Sequence, residues 1–185
     1  PVGFAHIGIP VRRLVEASGV GATYVHLGTV YGPGKGFADR LLPALAERKQ
    51  PIVGSGANRL PLVHVSDAAR ALVHLAGLDA TGVVGRTFVV SDGAGTTQRE
   101  LFENAAALLG ARAPRRIPRW LASLIAGRIL VEVMARDVDA DPSALIESGF
   151  ALRFPTHREG MAATVRELGD LLKKPPRQAK PLPVK

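Results

Sequence analysis

The spacing of apolar residues predicts strands and helices that alternate along the chain. Short runs rich in β-forming residues predict strands over 23–27, 52–53, 60–65 and 86–90. Apolar residues three and four positions apart predict helices over 11–17, 37–48, 68–76, 101–108, 119–135 and 142–148, and a last helix between 157 and 172. Strands that alternate with helices in this way are typical of an α/β fold with parallel strands.

Turn and capping residues separate these predicted elements. Glycine and proline mark a loop over 28–36 and a turn over 54–58. Capping residues precede three of the helices: Ser66 with Asp67, Thr97 with Glu100, and Thr156 with Glu159. The predicted strands are few, and a parallel sheet needs neighbours beside each strand and cover on both faces. The pattern therefore predicts part of a sheet.

Basic residues outnumber acidic ones, and much of the excess lies at the C-terminal end. The net charge is +8, from 24 Lys and Arg against 16 Asp and Glu. Residues 173–185 hold five of the basic residues, no acidic residue and four prolines, which leaves 19 basic against 16 acidic residues, or +3, in the rest of the chain. We expect 173–185 to be a disordered basic tail, with an anchor for an acidic partner as the alternative. Nucleic-acid binding is not expected.

The most apolar stretch, 120–134, is interrupted by Arg128 and Glu132 and is too short to span a bilayer. A buried amphipathic helix or the wall of an apolar pocket is favoured over a helix on a membrane surface. The chain has no cysteine, which excludes disulfides, cysteine metal sites and cysteine nucleophiles. Its five histidines show no paired ligand spacing, so no metal site is predicted. We expect a cytoplasmic protein.

Four segments carry a resemblance to a known family. Residues 23–34 have the sequence Thr-Tyr-Val-His-Leu-Gly-Thr-Val-Tyr-Gly-Pro-Gly, and residues 54–59 have Gly-Ser-Gly-Ala-Asn-Arg. Residues 62–71 have Leu-Val-His-Val-Ser-Asp-Ala-Ala-Arg-Ala, and residues 156–161 have Thr-His-Arg-Glu-Gly-Met. In this order they resemble the NAD(P)-dependent epimerase/dehydratase family of extended short-chain dehydrogenases/reductases, over roughly residues 10–170.

The resemblance implies the fold and the general function. Residues 1–172 would form the C-terminal portion of a Rossmann-like parallel sheet with a small, mostly helical substrate-binding subdomain. The family uses NAD or NADP and acts on nucleotide sugars or other small hydroxyl or carbonyl compounds. No glycine-rich dinucleotide motif follows an N-terminal strand in this sequence. The dinucleotide-binding N-terminal half is therefore expected to be absent, and either that half or a second copy of the chain is the expected protein partner.

The resemblance also assigns site residues. The backbone around Leu27 and Gly28 would meet the nicotinamide, and Thr29 and Tyr31 would face the substrate. The family usually has arginine and proline where this sequence has His26 and Leu27. Arg59 would hold an anionic group of the substrate, because a guanidinium makes paired hydrogen bonds to a diphosphate or carboxylate. A surface arginine without a ligand is the alternative.

No catalytic residue is assigned within the chain. Alignment of Arg13-Leu14-Val15 with the family's Arg-Leu-Val places Phe4 at the catalytic tyrosine and Gly8 at the lysine. In the family that tyrosine passes a proton to the substrate and the lysine lowers its pKa, and phenylalanine has no proton to transfer. Either the catalytic helix lies outside this sequence, or the proton relay has been lost.

Two apparent motifs around the first loop are rejected. Residues 28–35 approach a phosphate-binding P-loop, but the spacing is one residue too long, and Gly36 stands where Ser or Thr would bind magnesium. Tyr31 and Lys35 have the Tyr-x-x-x-Lys spacing of the family's catalytic pair. That pair needs one helical turn, which the intervening Gly-Pro-Gly does not supply.

Two function hypotheses follow. The first is an NAD(P)-dependent oxidoreductase or epimerase to which this chain contributes mainly the substrate-binding half, so that the chain alone is inactive and does not bind the cofactor. The second is a non-catalytic binding or scaffold protein on the same fold. His64 and Asp67 suggest acid–base chemistry, but a packed strand residue and a helix cap are the favoured interpretations.

Overall fold

A computed structural model describes residues 5–34 and 37–173 of the chain. Within these residues strands and helices alternate, and the three strand pairs β1–β5, β2–β4 and β3–β6 are all parallel. The predicted α/β class with parallel strands is therefore confirmed. The elements in chain order are α1 (Ala5–Ala17), β1 (Tyr24–Leu27), β2 (Thr29–Tyr31), α2 (Phe37–Ala46), β3 (Ile52–Val53), β4 (Leu62–His64), α3 (Val65–Ala76), α4 (Ala80–Val83), β5 (Thr87–Val90), α5 (Gln98–Leu108), β6 (Arg116–Ile117), α6 (Arg119–Ala126), α7 (Arg128–Met134), α8 (Ser143–Glu147) and α9 (His157–Lys173).

The carboxyl ends of β1 and β5 meet the start of the β2–β4 pair. In β1 and β5, Leu27 lies opposite Val90, and the next backbone N–H, that of Gly28, donates to the Val90 carbonyl at 3.0 Å. Two residues at the start of β4, Pro61 and Leu62, connect the β1–β5 pair to the β2–β4 pair. Pro61 O accepts from Thr29 N at 2.6 Å, and Leu62 O accepts from Asp92 N at 2.7 Å. The end of β1, the start of β2 and the end of β5 therefore converge on β4.

Two apolar cores lie on either side of these strands. One contains residues from α2, α5 and α9 together with strand residues: Tyr31, Leu41, Leu42, Leu45, Ile52, Leu62, Leu101, Phe102 and Met161. The other lies among α3, β5 and α8: Val63, Ala68, Ala71, Leu75, Phe88, Val90, Leu145 and Phe150. Helices on both faces of parallel strands are the arrangement that the alternating pattern predicted.

The structure corrects several predicted element boundaries. The predicted loop over 28–36 contains the short strand β2, and the predicted single helix over 119–135 is two helices. Gly127 separates them, because its φ of 85° lies in the left-handed region that a continuing helix does not use. The predicted helix starting at 68 begins at Val65, within the predicted strand over 60–65. The short elements α4 and β6 were not predicted.

Helices α6 and α7 present an apolar face that the described residues leave uncovered. Only Ala122 and Val131 of the two helices are buried. The exposed apolar side chains are Trp120, Leu124, Ile125, Ile129, Leu130 and Val133. The favoured expectation of a buried helix is therefore wrong for the described residues. Across 5–34 and 37–173, no helix is both long and apolar enough to cross a membrane.

Three features of the sequence analysis lie outside the described residues. The first is Phe4, which aligns with the family's catalytic tyrosine. The second is Lys35, which belongs to the rejected Tyr-x-x-x-Lys pair. The third is the basic tail from residue 174 onwards. Their roles stay predictions.

Candidate functional site

The candidate site extends from the ends of β1 and β5 along the short β2–β4 pair, which begins there. In open parallel sheets, ligands bind at the carboxyl ends of strands. Leu27 and Gly28 close β1, Tyr31 closes β2, His64 closes β4, and Asp92 follows β5 by two residues. Arg59 lies just before β4, on a short antiparallel bridge to Thr97.

Gly28 occupies a position with no room for a side chain. A Cβ built on Gly28 would lie 2.2 Å from the carbonyl oxygen of Pro61, so any other residue would push the neighbouring backbone apart. The glycine therefore allows the chain to pass directly from β1 to β2 while it stays bonded to β5 and Pro61. The side chain of Leu27, just before it, is 43% exposed at the end of the strand.

Thr29 and Tyr31 have different environments, although both were predicted to face the substrate. Thr29 is half-buried at the start of β2. Tyr31 is 1% exposed, and its hydroxyl lies against the backbone of α9, where a Cβ on Gly160 would be 2.0 Å away. Burial raises the pKa of the Tyr31 hydroxyl, and no hydrogen-bond partner for it exists among the described residues. This burial argues against substrate contact by Tyr31.

His64 caps the helix that follows it. Its Nδ1 accepts a hydrogen bond from the backbone N–H of Ser66 at 3.2 Å, and its backbone is extended, as an N-cap requires. The ring packs on Phe154, with centroids 4.3 Å apart, and meets Tyr31 edge-on at 5.4 Å. Burial lowers the pKa of His64, which favours the neutral ring. His64 thus takes the capping role that the sequence analysis gave to Ser66 and Asp67.

Asp67 is fully buried and holds a distant segment in place. Its carboxylate accepts from the backbone N–H groups of Arg153 at 2.9 Å and Phe154 at 2.8 Å, and from Nη1 of Arg70 at 2.7 Å. The cap assigned to Asp67 is therefore corrected to a tertiary tie between α3 and the segment before α9. Its carboxylate is occupied by these donors, which leaves acid–base chemistry without support.

Arg59 is bonded to two carboxylates of the segment that follows α7. Its Nε and Nη2 donate to Asp137 at 3.1 and 2.8 Å, and its Nη1 donates to Asp139 at 2.8 Å. Hydrogen bonds to the guanidinium hold the pKa of Asp137 down at about 2, and the same bonds raise the pKa of Arg59. The paired geometry expected for Arg59 is present, but its partners belong to the protein.

Asp92 is a site residue that the sequence analysis did not select. Its Oδ1 accepts from the backbone N–H of Ala94 at 3.1 Å, whereas its Oδ2 is buried without a partner among the described residues. Burial raises the pKa of Asp92 to about 6. A perturbed carboxyl at a strand's carboxyl end is a feature of functional sites. The signal in the sequence was its place two residues after a predicted strand.

Gly8, at the position of the family's catalytic lysine, lies in α1 and is exposed. Open space surrounds it, since a Cβ built there would meet no atom within 4 Å. Within the described part of the chain, no group of three or more His, Asp or Glu side chains could hold a metal ion.

Comparison with known proteins gives a family match over the first half of the chain. Residues 9–91 match the description "NAD dependent epimerase/dehydratase family". This range includes β1 through β5 and therefore the strand ends that form the candidate site.

The proteins similar to this chain include one curated relative and two solved structures. A 3-diazoavenalumate denitrifying reductase from a Streptomyces species is 31% identical over 156 residues, which cover 82% of this chain and 49% of the relative. The human epimerase family protein SDR39U1 with NADPH has a TM-score of 0.67 at 22% identity, over 77% of this chain and 47% of its own. A UDP-glucose 4-epimerase from Thermotoga maritima with UDP-glucose has a TM-score of 0.65 at 21% identity, over 89% and 51%.

All three relatives are longer than this chain. The chain spans about half the length of each of these relatives. The two solved structures are under 25% identical and show the fold alone, which is Rossmann-like.

Proposed function

We propose that the chain belongs to the NAD-dependent epimerase/dehydratase family, whose description matches residues 9–91, and that it forms the substrate-binding half of an NAD(P)-dependent oxidoreductase or epimerase. The observation that carries the proposal is the meeting of the ends of β1 and β5 with the start of the β2–β4 pair beside Gly28, with Leu27 exposed at the end of β1. Ligands of open α/β sheets bind at this kind of edge.

The outer edge of β1 supports the view that a further segment completes the sheet. Among the described residues, β1 pairs with β5 on one side only. His26 and Leu27 are exposed at its end, and α1 exposes the apolar side chains of Val11 and Leu14. Another strand could pair with this free edge, and its helix could cover the exposed apolar side chains. In this proposal the dinucleotide-binding half supplies them.

The residues present fit one end of a dinucleotide. The exposed, apolar Leu27 offers a contact for a nicotinamide ring at the end of β1, and Gly28 beside it, with no side chain, lets the backbone there stay close to Pro61. When bound there, NAD or NADP would accept or donate the hydride. The phosphates need backbone N–H groups at a helix N-terminus after a glycine-rich turn, and the proposal assigns these to the other half.

The proposed substrate is a small molecule with a hydroxyl or carbonyl group. Thr29 is half-buried beside Gly28, and its hydroxyl is a donor and acceptor suited to such a group. Arg59 is the proposed contact for an anionic part of the substrate, such as a carboxylate. Because Arg59 is bonded to Asp137 and Asp139, an anion has to compete with these two carboxylates.

A turnover assay tests the proposal. The purified 185-residue chain and a fusion that adds the N-terminal half of the Streptomyces reductase are compared with nucleotide sugars and small carbonyl compounds. Absorbance at the nicotinamide band detects net oxidation or reduction, and product analysis detects epimerisation, which leaves the cofactor unchanged. We expect turnover by the fusion and none by the chain alone, because hydride transfer needs the bound dinucleotide. Turnover by the chain alone would contradict the proposal. A folded fusion that binds cofactor but stays silent would favour the non-catalytic scaffold.

A further inference from the structure

The two carboxylates bonded to Arg59 are not equivalent. Asp137 accepts three hydrogen bonds from Arg59, from the backbone N–H at 2.7 Å, from Nε at 3.1 Å and from Nη2 at 2.8 Å. Asp139 accepts a single bond, from Nη1 at 2.8 Å. The side chain of Asp139 is 75% exposed, compared with 52% for Asp137. Asp137 is therefore fixed, whereas Asp139 is the partner that a ligand can replace.

The backbone of Arg59 is held in place independently of its side chain. Its carbonyl accepts from Val138 N at 3.1 Å, it bridges to Thr97, and the next N–H, that of Leu60, donates to Thr96 O at 2.8 Å. With the backbone fixed, the bonds from Nε and Nη2 to Asp137 orient the guanidinium, so an exchange at Nη1 occurs through movement of Asp139.

The segment that carries Asp139 is also tied at both ends by other bonds. At its start, Met134 O accepts from Asn58 Nδ2 at 3.1 Å and from Gln98 Nε2 at 3.3 Å. At its end, Ala140 O accepts from the hydroxyl of Ser91 at 3.4 Å. None of these bonds uses the carboxylate of Asp139, so loss of that carboxylate leaves the segment where it is.

From this geometry we propose that Asp139 is a specificity-determining residue, which competes with ligand anions for Nη1 of Arg59 and disfavours substrates that carry a diphosphate. The inference rests on the proposed substrate-binding role of Arg59. Asp137 is a positioning residue, because it orients the guanidinium through three bonds and leaves Nη1 directed at Asp139.

Charge explains the direction of the selection. Arg59 contributes one positive charge and the two aspartates two negative charges, so the cluster has a net charge of −1. A ligand anion must displace Asp139 and then lie beside two carboxylates. The repulsion grows with the charge of the ligand, so a diphosphate is disfavoured more strongly than a carboxylate or an uncharged group. The proposed substrate class is therefore a hydroxyl or carbonyl compound without a diphosphate.

Binding of uridine diphosphate to the 185-residue chain tests the inference. Asp139→Asn keeps the size of the side chain and removes its charge. Exposed ion pairs contribute about 0.2–1 kcal/mol, which corresponds to a gain in affinity of roughly 1.4- to fivefold. Uridine should show no change, because it carries no phosphate. Asp79→Asn is the matched control, since it removes the same charge from an exposed residue outside the cluster.

Each outcome of this titration has a defined meaning. The inference is supported if Asp139→Asn raises the affinity for uridine diphosphate and if this gain disappears in the Arg59→Ala, Asp139→Asn double variant. An unchanged affinity, an absence of binding in both proteins, or an equal gain in Asp79→Asn overturns it. The proposed function is tested separately by turnover of the fusion protein, so either can fail without the other.

Discussion

At the residue scale, several buried polar atoms near the strand ends lack partners among the described residues. They include the hydroxyl of Tyr31, Nε2 of His64, Oδ2 of Asp92 and Nε2 of His157. Buried polar groups without hydrogen bonds cost stability. Of these four residues, Asp92 also has its pKa raised by burial to about 6, as is common for carboxyls at functional sites. The sequence analysis selected Tyr31 and His64 by motif, but their burial depends on helices far along the chain.

Arg59 shows how far sequence can predict a site residue. The glycine-rich turn before it and the type of side chain indicated an arginine that binds a carboxylate or phosphate in a paired geometry. The geometry is present, but its partners Asp137 and Asp139 lie 78 and 80 residues away in the sequence. No local pattern connects them, because the contact arises only when the segment after α7 folds onto the turn before β4.

Gly160 should not tolerate a methyl group. We expect Gly160→Ala to lower the free energy of unfolding by about 1–3 kcal/mol, because the new Cβ would overlap the Tyr31 hydroxyl. Gly169→Ala in the same helix is the control, since a Cβ there meets nothing within 4 Å, and alanine should stabilise the helix by about 0.5–1 kcal/mol. Urea denaturation measures both. Equal effects of the two substitutions would contradict the described position of Tyr31.

Asp92 should make stability depend on pH. Burial raises its pKa to about 6, so the folded protein keeps a proton that the unfolded chain releases near pH 4. The stability from this carboxyl is full below about pH 4 and is lost as the pH rises through about 6. Asp92→Asn removes that loss. The free energy of unfolding of the variant minus that of the parent should be about 1–2 kcal/mol larger at pH 8 than at pH 4. Denaturation at both pH values measures this difference. A pH-independent difference would show that Asp92 titrates normally.

At the element scale, strong local sequence patterns predicted most of the elements. The boundaries that depend on tertiary contacts were predicted less accurately. The capping box of Thr97 and Glu100 is present at the start of α5, because its bonds join residues three apart. The break at Gly127 was missed, since one glycine within an apolar periodic run is compatible with a continuous helix. The start of α3 was missed because histidine is an unusual capping residue, and its role depends on the extended backbone at the end of β4.

Asp67 should be essential for joining α3 to the segment before α9. Asp67→Ala leaves two backbone N–H groups, those of Arg153 and Phe154, without their acceptor. Hydrogen bonds to charged groups contribute about 1.5–3 kcal/mol each, so we expect the free energy of unfolding to fall by at least about 3 kcal/mol. Asp79→Ala is the control, because Asp79 is exposed and its side chain caps nothing. If hydrogen exchange at Arg153 and Phe154 were unchanged in Asp67→Ala, the tie would be refuted.

At the scale of the whole molecule, the described residues form parallel strand pairs with helices on both faces. The parallel pairing and the helices on both faces followed from the alternating pattern, and the free edge of β1 agrees with the expectation of a partial sheet. The uncovered apolar faces of α1 and of α6 with α7 were not predictable, because periodicity shows that a helix has an apolar face but not what covers it. In our account the dinucleotide-binding half lies against β1 and α1.

The central claim is that this chain binds substrate and that another segment holds the dinucleotide. Titration calorimetry of NADH and NADPH into the purified 185-residue chain tests it most directly, with the fusion to the N-terminal half of the Streptomyces reductase as the positive control. We predict heats of dilution alone for the chain and saturable binding for the fusion, because Leu27 and Gly28 provide contacts for the nicotinamide end only. Binding of either dinucleotide to the chain alone with a micromolar Kd would contradict the account.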